Sequence, residues 1–242
     1  MRNFNKEFSD NKNRKYAYNF DFDIMHNYMI KSLKPFFKGE EILEIGSYKG
    51  EFTKKLMPHF KLIECVEPSD EAIRIAKKEL SGNITFHNVQ IENLKLKKKI
   101  KTIVITHVLE HIDNPVEMLN SLKKKFLSDD GRILIVCPNA NAPSRQIAVK
   151  MGIIPNNSSI TEGERLHGHK ITYSLDTLER DAVKSGLNVT FRSGIFFKAL
   201  ANFQWDKLIN TDIISKEYLE GCYKLGQIYP DLCSSIFIVC EK

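Results

Sequence analysis

The chain has 242 residues, a formal net charge of +6, 42% hydrophobic residues and 27% charged residues. This composition is typical of a soluble globular protein, and the length suits a single domain with a sizeable core. No apolar run approaches the ~18 residues that cross a membrane, and the polar start of the chain lacks the apolar segment of an export signal. The five cysteines have no paired spacing, which favours buried free thiols and a cytoplasmic location.

The positive charge comes mainly from lysines. The densest runs, at 95–101 and 123–125, adjoin predicted helices and strands. They lack the arginines and interleaved aromatic residues that are typical of nucleic-acid readers. We interpret them as solvated surface, so a nucleic-acid partner is not expected, and neither is a membrane.

Apolar strands alternate with amphipathic helices in the first two thirds of the chain. Strands are predicted at 41–46, 61–68, 84–89, 101–108 and 131–139. Helices are predicted between them at 50–60, 69–80 and 114–127. Strands that are apolar throughout and separated by helices indicate a parallel sheet buried on both faces.

The pattern is looser after residue 140. In chain order it predicts a helix at 141–152, a polar loop at 153–170, a helix at 174–187, a strand at 188–198, a helical insertion at 199–230 and a last strand at 234–242. No repeat or low-complexity linker divides the chain, so one domain with local insertions is the simplest interpretation.

The stretch "ILEIGSYKGEFT" (42–53) places Glu44, Gly46 and Gly50 at a turn from a strand into a helix. The spacing G-x-x-x-G matches neither the dinucleotide fingerprint nor a nucleotide P-loop. An acid just before the first glycine suits a ligand that carries an ammonium group. A second acid, Glu67, ends the next strand, where doubly wound sheets bind ribose hydroxyls.

Together with "HVLEHIDNP" (107–115) after the fourth strand, these features resemble a class I S-adenosylmethionine-dependent methyltransferase. The resemblance covers roughly residues 39–197 and the last strand. It implies an α/β fold, a Rossmann-like doubly wound sheet of seven strands with the last strand antiparallel. S-adenosylmethionine would lie across the carboxyl ends of the first strands.

The resemblance also implies an organisation for the single domain, residues 1–242. Residues 1–38 would form an N-terminal lid, in which Tyr18 and Phe20 are candidate cofactor contacts. Simple packing on the sheet is an equal alternative for both. The core would comprise 39–198 and 231–242, with insertions at 153–170 and 199–230 on the acceptor side. The second insertion, which contains Trp205, would complete the acceptor pocket or form a homodimer contact.

The family pattern assigns parts of the cofactor to positions in this chain. Glu44 and the loop from Gly46 to Gly50 would hold the methionine part, Glu67 the ribose, and Ile91 the adenine ring. The family usually has an acid near Gln90, so the contact to the adenine amino group is left open between Gln90 and Glu92. The complete predicted set is Glu44, Gly46, Ser47, Tyr48, Gly50, Phe52, Glu67, Pro68, Gln90, Ile91, Glu92, Thr106 and His107.

His107, Glu110 and His111 also match H-x-x-E-H, a metallopeptidase zinc signature when it lies well inside a helix. Here His107 directly follows the β-branched run "TIVIT", and Asn114-Pro115 interrupts any helix soon afterwards. We therefore reject the peptidase interpretation and place the motif at a strand exit.

Methyltransferases that resemble this region carry E-x-x-E-H and hold a divalent ion near the acceptor hydroxyl. In this chain an ion would be held by His107, Glu110, His111 and His169. We favour the simpler alternative, in which these histidines line the acceptor pocket and no metal is bound.

Methyl transfer to a hydroxyl requires a general base, and histidine suits this role. His169, in "LHGHKITY" (166–173), is the preferred base, with His107 or His111 as alternatives. Asn139 and Arg145 are candidate acceptor contacts; the alternatives are a turn asparagine and a surface arginine.

The Gly-His loop and the segment "CPNA" resemble enzymes of surface-polysaccharide and sugar-nucleotide pathways. The predicted acceptor is therefore an oxygen of a small sugar or nucleotide-linked molecule. An RNA methyltransferase with a metal site and a non-catalytic, cofactor-binding scaffold are the alternatives.

Overall fold

The computed structural model describes residues 4–12 and 17–242, so residues 1–3 and 13–16 of the predicted lid lie outside the described part. The strands are β1 (Glu41–Ile45), β2 (Leu62–Val66), β3 (Ile84–His87), β4 (Ile100–Thr106), β5 (Leu127–Pro138), β6 (Asn188–Phe197) and β7 (Cys233–Glu241). They form one seven-stranded sheet in the order β3-β2-β1-β4-β5-β7-β6. Only β7 runs antiparallel to its neighbours in this sheet. The predicted fold class is confirmed.

Ten α-helices occur among the described residues. They are α1 (Phe4–Lys12), α2 (His26–Leu33), α3 (Glu51–Leu56), α4 (Asp70–Glu79), α5 (Pro115–Lys125), α6 (Pro143–Lys150), α7 (Glu162–Leu166), α8 (Leu175–Lys184), α9 (Asn202–Leu208) and α10 (Lys216–Ile228). A π-helix at Phe20–Met25 leads directly into α2. Within the described residues, none of the helices has both the length and the apolar character of a membrane span.

Two elements differ from the sequence-based expectation. The loop at 153–170 contains α7, whose first turn is stabilised by a capping box between Thr161 and Glu164. β5 starts at Leu127, before the predicted start at residue 131. The capping box is a local hydrogen-bond pattern, whereas the first residue of β5 pairs with Ile100 of β4, and the apolar pattern encodes neither.

Helices cover both faces of the sheet, and alternate residues of one strand point to opposite sides. On β1, Leu43 and Ile45 join the core that includes Leu119 of α5. Ile42 joins the opposite core, together with Leu56 of α3. All five cysteines are buried and unpaired, as their apolar surroundings predict.

The N-terminal segment and the 199–230 insertion pack together on the second face. Phe20 is fully buried, and its ring centroid lies 5.0 Å from that of Trp205 and 5.7 Å from that of Phe196. The backbone N–H of Phe20 donates to Asp206 of α9 at 2.9 Å. Phe20 and Trp205 are therefore core residues, and Trp205 is too buried to serve as a surface contact of a dimer.

α10 lies against β6 through a glycine. A Cβ added at Gly226 would lie 2.7 Å from Sγ of Cys233 and 3.2 Å from the backbone nitrogen of Phe197. In the described part of the chain, no atom lies within 4 Å of a Cβ added at Gly221 in the same helix. The helix can approach the sheet this closely only because position 226 has no side chain.

These two glycines give a matched pair of substitutions. We expect Gly221→Ala to raise the free energy of unfolding by about 0.5–1 kcal/mol, since alanine is the better helix former. We expect Gly226→Ala to lower it by about 2 kcal/mol, because overpacking against backbone outweighs helix propensity. Urea denaturation of both variants measures the difference, and equal stabilisation of both would contradict the packing described for α10.

Candidate active site

The turn between β1 and α3 depends on two glycines with left-handed backbone. Gly46 has φ +80° and Gly50 has φ +85°, a region that side chains disfavour. A Cβ added at Gly46 would lie 2.2 Å from Cγ2 of Val108, in the loop that leaves β4. Glycine at this position therefore lets the exits of the two neighbouring strands touch.

Glu44 lies on β1 just before this turn and is fully buried. Its Oε2 accepts hydrogen bonds from the hydroxyl of Thr53 at 2.6 Å and the thiol of Cys65 at 3.4 Å. Its Oε1 is buried and has no hydrogen-bond partner in the described part of the chain. Burial raises the pKa of Glu44 to about 7, although its two hydrogen bonds act in the opposite direction. A cationic ligand group would satisfy the unpaired oxygen.

Glu67, at the exit of β2, is held by backbone groups. Its Oε2 accepts from the N–H of Tyr48 at 2.9 Å and its Oε1 from the N–H of Ser69 at 2.8 Å. Burial raises the pKa of this carboxyl, and the two backbone hydrogen bonds oppose that effect. Each oxygen keeps a further lone pair, so the carboxylate can also accept hydrogen bonds from ligand hydroxyls.

A cavity of about 720 Å³ opens beside these two turns, a volume in the range of small-molecule sites. Its wall includes eight of the predicted cofactor residues: Gly46, Tyr48, Glu67, Pro68, Gln90, Ile91, Glu92 and His107. Glu44, Ser47 and Phe52 are buried behind the wall, and Gly50 and Thr106 are also outside its lining. The sequence did not single out the contributions of α1 and α5, which are Phe4, Glu7, Phe8, Glu117, Met118, Ser121, Leu122 and Lys125.

Helix α1 closes one side of the cavity. Phe8 is 2% exposed, and its ring centroid lies 5.4 Å from that of Tyr48. The ammonium group of Lys49 lies 5.5 Å from the centroid of the same phenylalanine ring. The hydroxyl of Ser69 donates to Oδ1 of Asn5 at 3.0 Å. These contacts place an N-terminal helix directly over the turns that follow β1 and β2.

The motif at 107–115 leaves the sheet and does not form a long helix. His107 directly follows β4 with φ +53°, and Leu109–His111 form a single 3₁₀ turn. This geometry confirms the rejection of the peptidase interpretation. Nε2 of His107 lies 3.1 Å from the hydroxyl of Ser235. Burial lowers the pKa of His107 to about 4, and the nearby His169 makes a smaller contribution in the same direction.

Three members of the predicted metal set lie together. The candidate ligand atoms of Glu110, His111 and His169 lie within 4.8 Å of one another, and the two imidazole centroids are 4.6 Å apart. Both carboxylate oxygens of Glu110 are buried without a partner among the described residues, and burial raises its pKa to about 8. His107 is not part of this cluster and contacts Ser235 instead.

Asn139 and Arg145, the predicted acceptor contacts, are engaged within the protein. The amide nitrogen of Asn139 donates to the carbonyls of Asp231 and Cys233, each at 2.8 Å. Arg145 binds the carboxylate of Glu164 at 2.6 Å and also donates to backbone carbonyls of the 153–170 loop. Both side chains therefore hold the loops around the site in place.

His26 is a polar residue near the site that the sequence did not single out. It is the first residue of α2, and its Nδ1 is buried without a partner in the described residues. Burial lowers its pKa to about 3, with smaller contributions from His107 and Lys55. No motif marks this histidine, because its neighbours come from distant parts of the chain.

Comparisons with known proteins agree with this arrangement. A family model described as a methyltransferase domain matches residues 22–191. A ubiquinone biosynthesis O-methyltransferase of Rhizobium etli (strain CIAT 652) is 25% identical over 187 residues, which cover 76% of this chain and 73% of that protein. A mitochondrial protein of the same description from Schizosaccharomyces pombe is 28% identical over 105 residues, which cover 41% of this chain but only 38% of that protein.

The fold is shared with solved structures. The plantazolicin methyltransferase BpumL in complex with SAH has a TM-score of 0.59 and 20% identity, with 98% of this chain and 93% of that chain covered. S-adenosylmethionine fits the site described above, since the cavity has a suitable volume and Glu44, next to the lining residues Ile45 and Gly46, keeps a buried carboxylate oxygen without a partner among the described residues. The predicted fold, enzyme class and cofactor are confirmed. The family match covers well over half of the sequence, and the chain belongs to the methyltransferase domain family as a class I, S-adenosylmethionine-dependent enzyme.

Proposed function

We propose that this methyltransferase transfers its methyl group to an oxygen of a small-molecule acceptor, with a histidine as general base. The observation that carries this proposal is the group of imidazoles at the exit of β4. His107 and His111 line the cavity, and His169 lies against His111 with ring centroids 4.6 Å apart. A hydroxyl acceptor must lose a proton during transfer, and an imidazole beside the cavity can accept it.

The cofactor assignments follow from the groups around the cavity. Oε1 of Glu44 would accept from the ammonium of the methionine part, since it is buried and unpaired. The carboxylate of Glu67 would accept from the ribose hydroxyls. Ile91 would pack on the adenine ring, while Gln90 or Glu92, which line the same wall, would bind its amino group.

His169 is the proposed base. Burial lowers the pKa of its imidazole, so the ring is neutral near pH 7 and able to accept a proton. When bound, the sulfonium of S-adenosylmethionine supplies the methyl group and a good leaving group. The protein contributes orientation, exclusion of water and a place for the acceptor's proton.

We favour a sugar hydroxyl or a nucleotide-linked sugar as the acceptor, on the resemblance of the Gly-His loop and the "CPNA" segment to enzymes of sugar pathways. A phenolic hydroxyl is the second candidate, because the Rhizobium etli relative is named as a ubiquinone biosynthesis O-methyltransferase. Both acceptors present a hydroxyl, and both are consistent with a histidine base.

The pKa of Glu44 leads to a pH-dependent affinity for the cofactor. In the ligand-free protein this pKa is about 7, and only the ionised carboxylate attracts the ammonium of S-adenosylmethionine. Lowering the pH from 7 to 5.5 protonates most of Glu44, while the ammonium stays charged. We expect the affinity, measured by calorimetry, to fall on the order of tenfold over this range.

Glu44→Gln tests the assignment. We expect cofactor affinity at pH 7 to fall on the order of 10-fold or more and its pH dependence to flatten, since a charge-assisted hydrogen bond is lost. Glu79→Gln, at an exposed position on α4, serves as the control and should behave like the wild type. A Glu44→Gln protein with unchanged affinity and an unchanged pH profile would refute the contact.

His169→Ala tests the base. We expect kcat to fall about 10²- to 10⁴-fold with little change in cofactor affinity, and added imidazole to restore part of the rate. His59→Ala, a histidine at the opposite end of β1, is the matched control. A His169→Ala enzyme with wild-type kcat would remove this histidine from the mechanism.

An acceptor panel separates the candidate functions. Release of S-adenosylhomocysteine is measured with a nucleoside-diphosphate sugar, a catechol and a short RNA. We expect turnover with the sugar nucleotide. Turnover with catechol alone would assign the enzyme to phenolic acceptors. In a separate filter-binding assay, RNA binding that falls steeply as the salt concentration rises would favour the RNA methyltransferase alternative.

A further inference from the structure

His26 stands at an unusual point of the backbone. The π-helix Phe20–Met25 ends directly before it, and π-helical turns are rare and often occur at functional sites. This turn is fixed at its start, where the backbone N–H of Tyr18 donates to Asp21 at 3.0 Å and that of Phe20 donates to Asp206 at 2.9 Å. The position of the histidine is therefore determined by a rigid, well-anchored segment.

The ring of His26 is held in one orientation by aromatic neighbours. Its centroid lies 5.5 Å from that of Phe22 and 5.2 Å from that of Phe52, both edge to face. Phe52 belongs to the first turn of α3, directly after the glycine loop. These contacts orient the imidazole but use none of its hydrogen-bonding capacity. Its buried Nδ1 has no partner among the described residues, so a ligand acceptor that completes this hydrogen bond would be favoured.

The charged and titratable groups around His26 indicate where the methionine end of the bound cofactor would lie. The charged or titratable neighbours that influence it are His107, from the exit of β4, and Lys55, from α3. His107 lines the cavity, and Phe52 lies in the first turn of α3, directly after the glycine loop. Among the described residues, the charged side chain that acts on His26 is a lysine, and a positive charge at this corner favours an anionic ligand group.

Glu44 alone cannot bind the whole amino-acid part of S-adenosylmethionine. Its unpaired oxygen suits the ammonium, but the carboxylate beside that ammonium requires hydrogen-bond donors. A neutral imidazole with hydrogen on Nδ1 supplies such a donor from a buried, oriented position. Lys55 adds a positive charge on the same side.

We propose that His26 is a cofactor-binding residue whose Nδ1–H donates to the carboxylate of the methionine part of S-adenosylmethionine. The residue thereby closes the end of the cofactor site opposite to Glu67. The assignment rests on the proposed role of Glu44 at the ammonium group. It also gives the π-helix a function, which is to position a histidine of the N-terminal segment beside the cofactor.

Two ligands separate this contact from a merely structural role. S-adenosylmethionine carries the amino-acid part, whereas 5′-methylthioadenosine has the same nucleoside and no carboxylate. We expect His26→Ala to weaken binding of S-adenosylmethionine on the order of 10- to 100-fold, as for a charge-assisted hydrogen bond. Binding of 5′-methylthioadenosine should stay within about twofold of the wild type. Calorimetry with each ligand gives both values.

Further variants keep the outcome interpretable. His26→Asn places an amide nitrogen near the position of Nδ1 and should recover part of the affinity, while His59→Ala should match the wild type with both ligands. Equal losses for the two ligands would show that His26 only shapes the core, and no loss for either would exclude the contact; each outcome overturns the inference. A wild type that bound 5′-methylthioadenosine but not S-adenosylmethionine would refute the proposed function and the His26 contact together, whereas the outcomes above, with a wild type that binds both ligands, bear on His26 alone.

Discussion

The close contact between the loops that leave β1 and β4 is the constraint on which the site depends. β1 and β4 pair in parallel, with Ile45 opposite Ile105, so their exit loops emerge side by side. Glycine at position 46 lets Val108 approach to a distance that any side chain would block. This contact fixes His107 beside the cavity in a left-handed conformation. The strain is held by the sheet, since the N–H of His107 donates to the carbonyl of Val136 at 2.9 Å.

Several buried polar groups have no hydrogen-bond partner among the described residues. They include Nδ1 of His26, Oε1 of Glu44 and both carboxylate oxygens of Glu110. Each one costs stability in the ligand-free protein, and the apolar cores on the two faces of the sheet offset that cost. Groups held in place before the ligand arrives need little reorganisation when it binds. The site is therefore pre-formed, and in the proposed function the ligands supply the missing hydrogen bonds.

The sequence predicted those features whose signals are local. Strands such as β1 and β4 were predicted because they contain continuous apolar runs, and the glycine loop because its spacing is confined to the turn between one strand and one helix. The left-handed φ values of Gly46 and Gly50 agree with that reading. The strand-exit position of His107 was predictable as well, since a β-branched run directly precedes it. The roles assigned to individual histidines stay predictions.

The remaining features depend on contacts between distant segments. The hydrogen bond from Phe20 to Asp206 joins residues 186 positions apart, so nothing near Phe20 shows that it belongs to the core. For the same reason the sequence did not reveal His26, which meets Phe52 and His107 only after the sheet has formed. The contribution of α1 to the cavity wall also depends on segments that are distant in the sequence, because this helix contacts the turn after β2.

Burial also determines the charge of the histidines beside the cofactor site. S-adenosylmethionine carries a positive sulfonium, and a protonated imidazole nearby would repel it in a medium of low polarity. Burial lowers the pKa of His26 to about 3 and that of His107 to about 4, so both rings are neutral at pH 7. Neutral rings avoid this repulsion and remain able to donate or accept a hydrogen bond. The same apolar packing that holds these rings in place therefore also makes the site compatible with a cationic cofactor and an acceptor that must lose a proton.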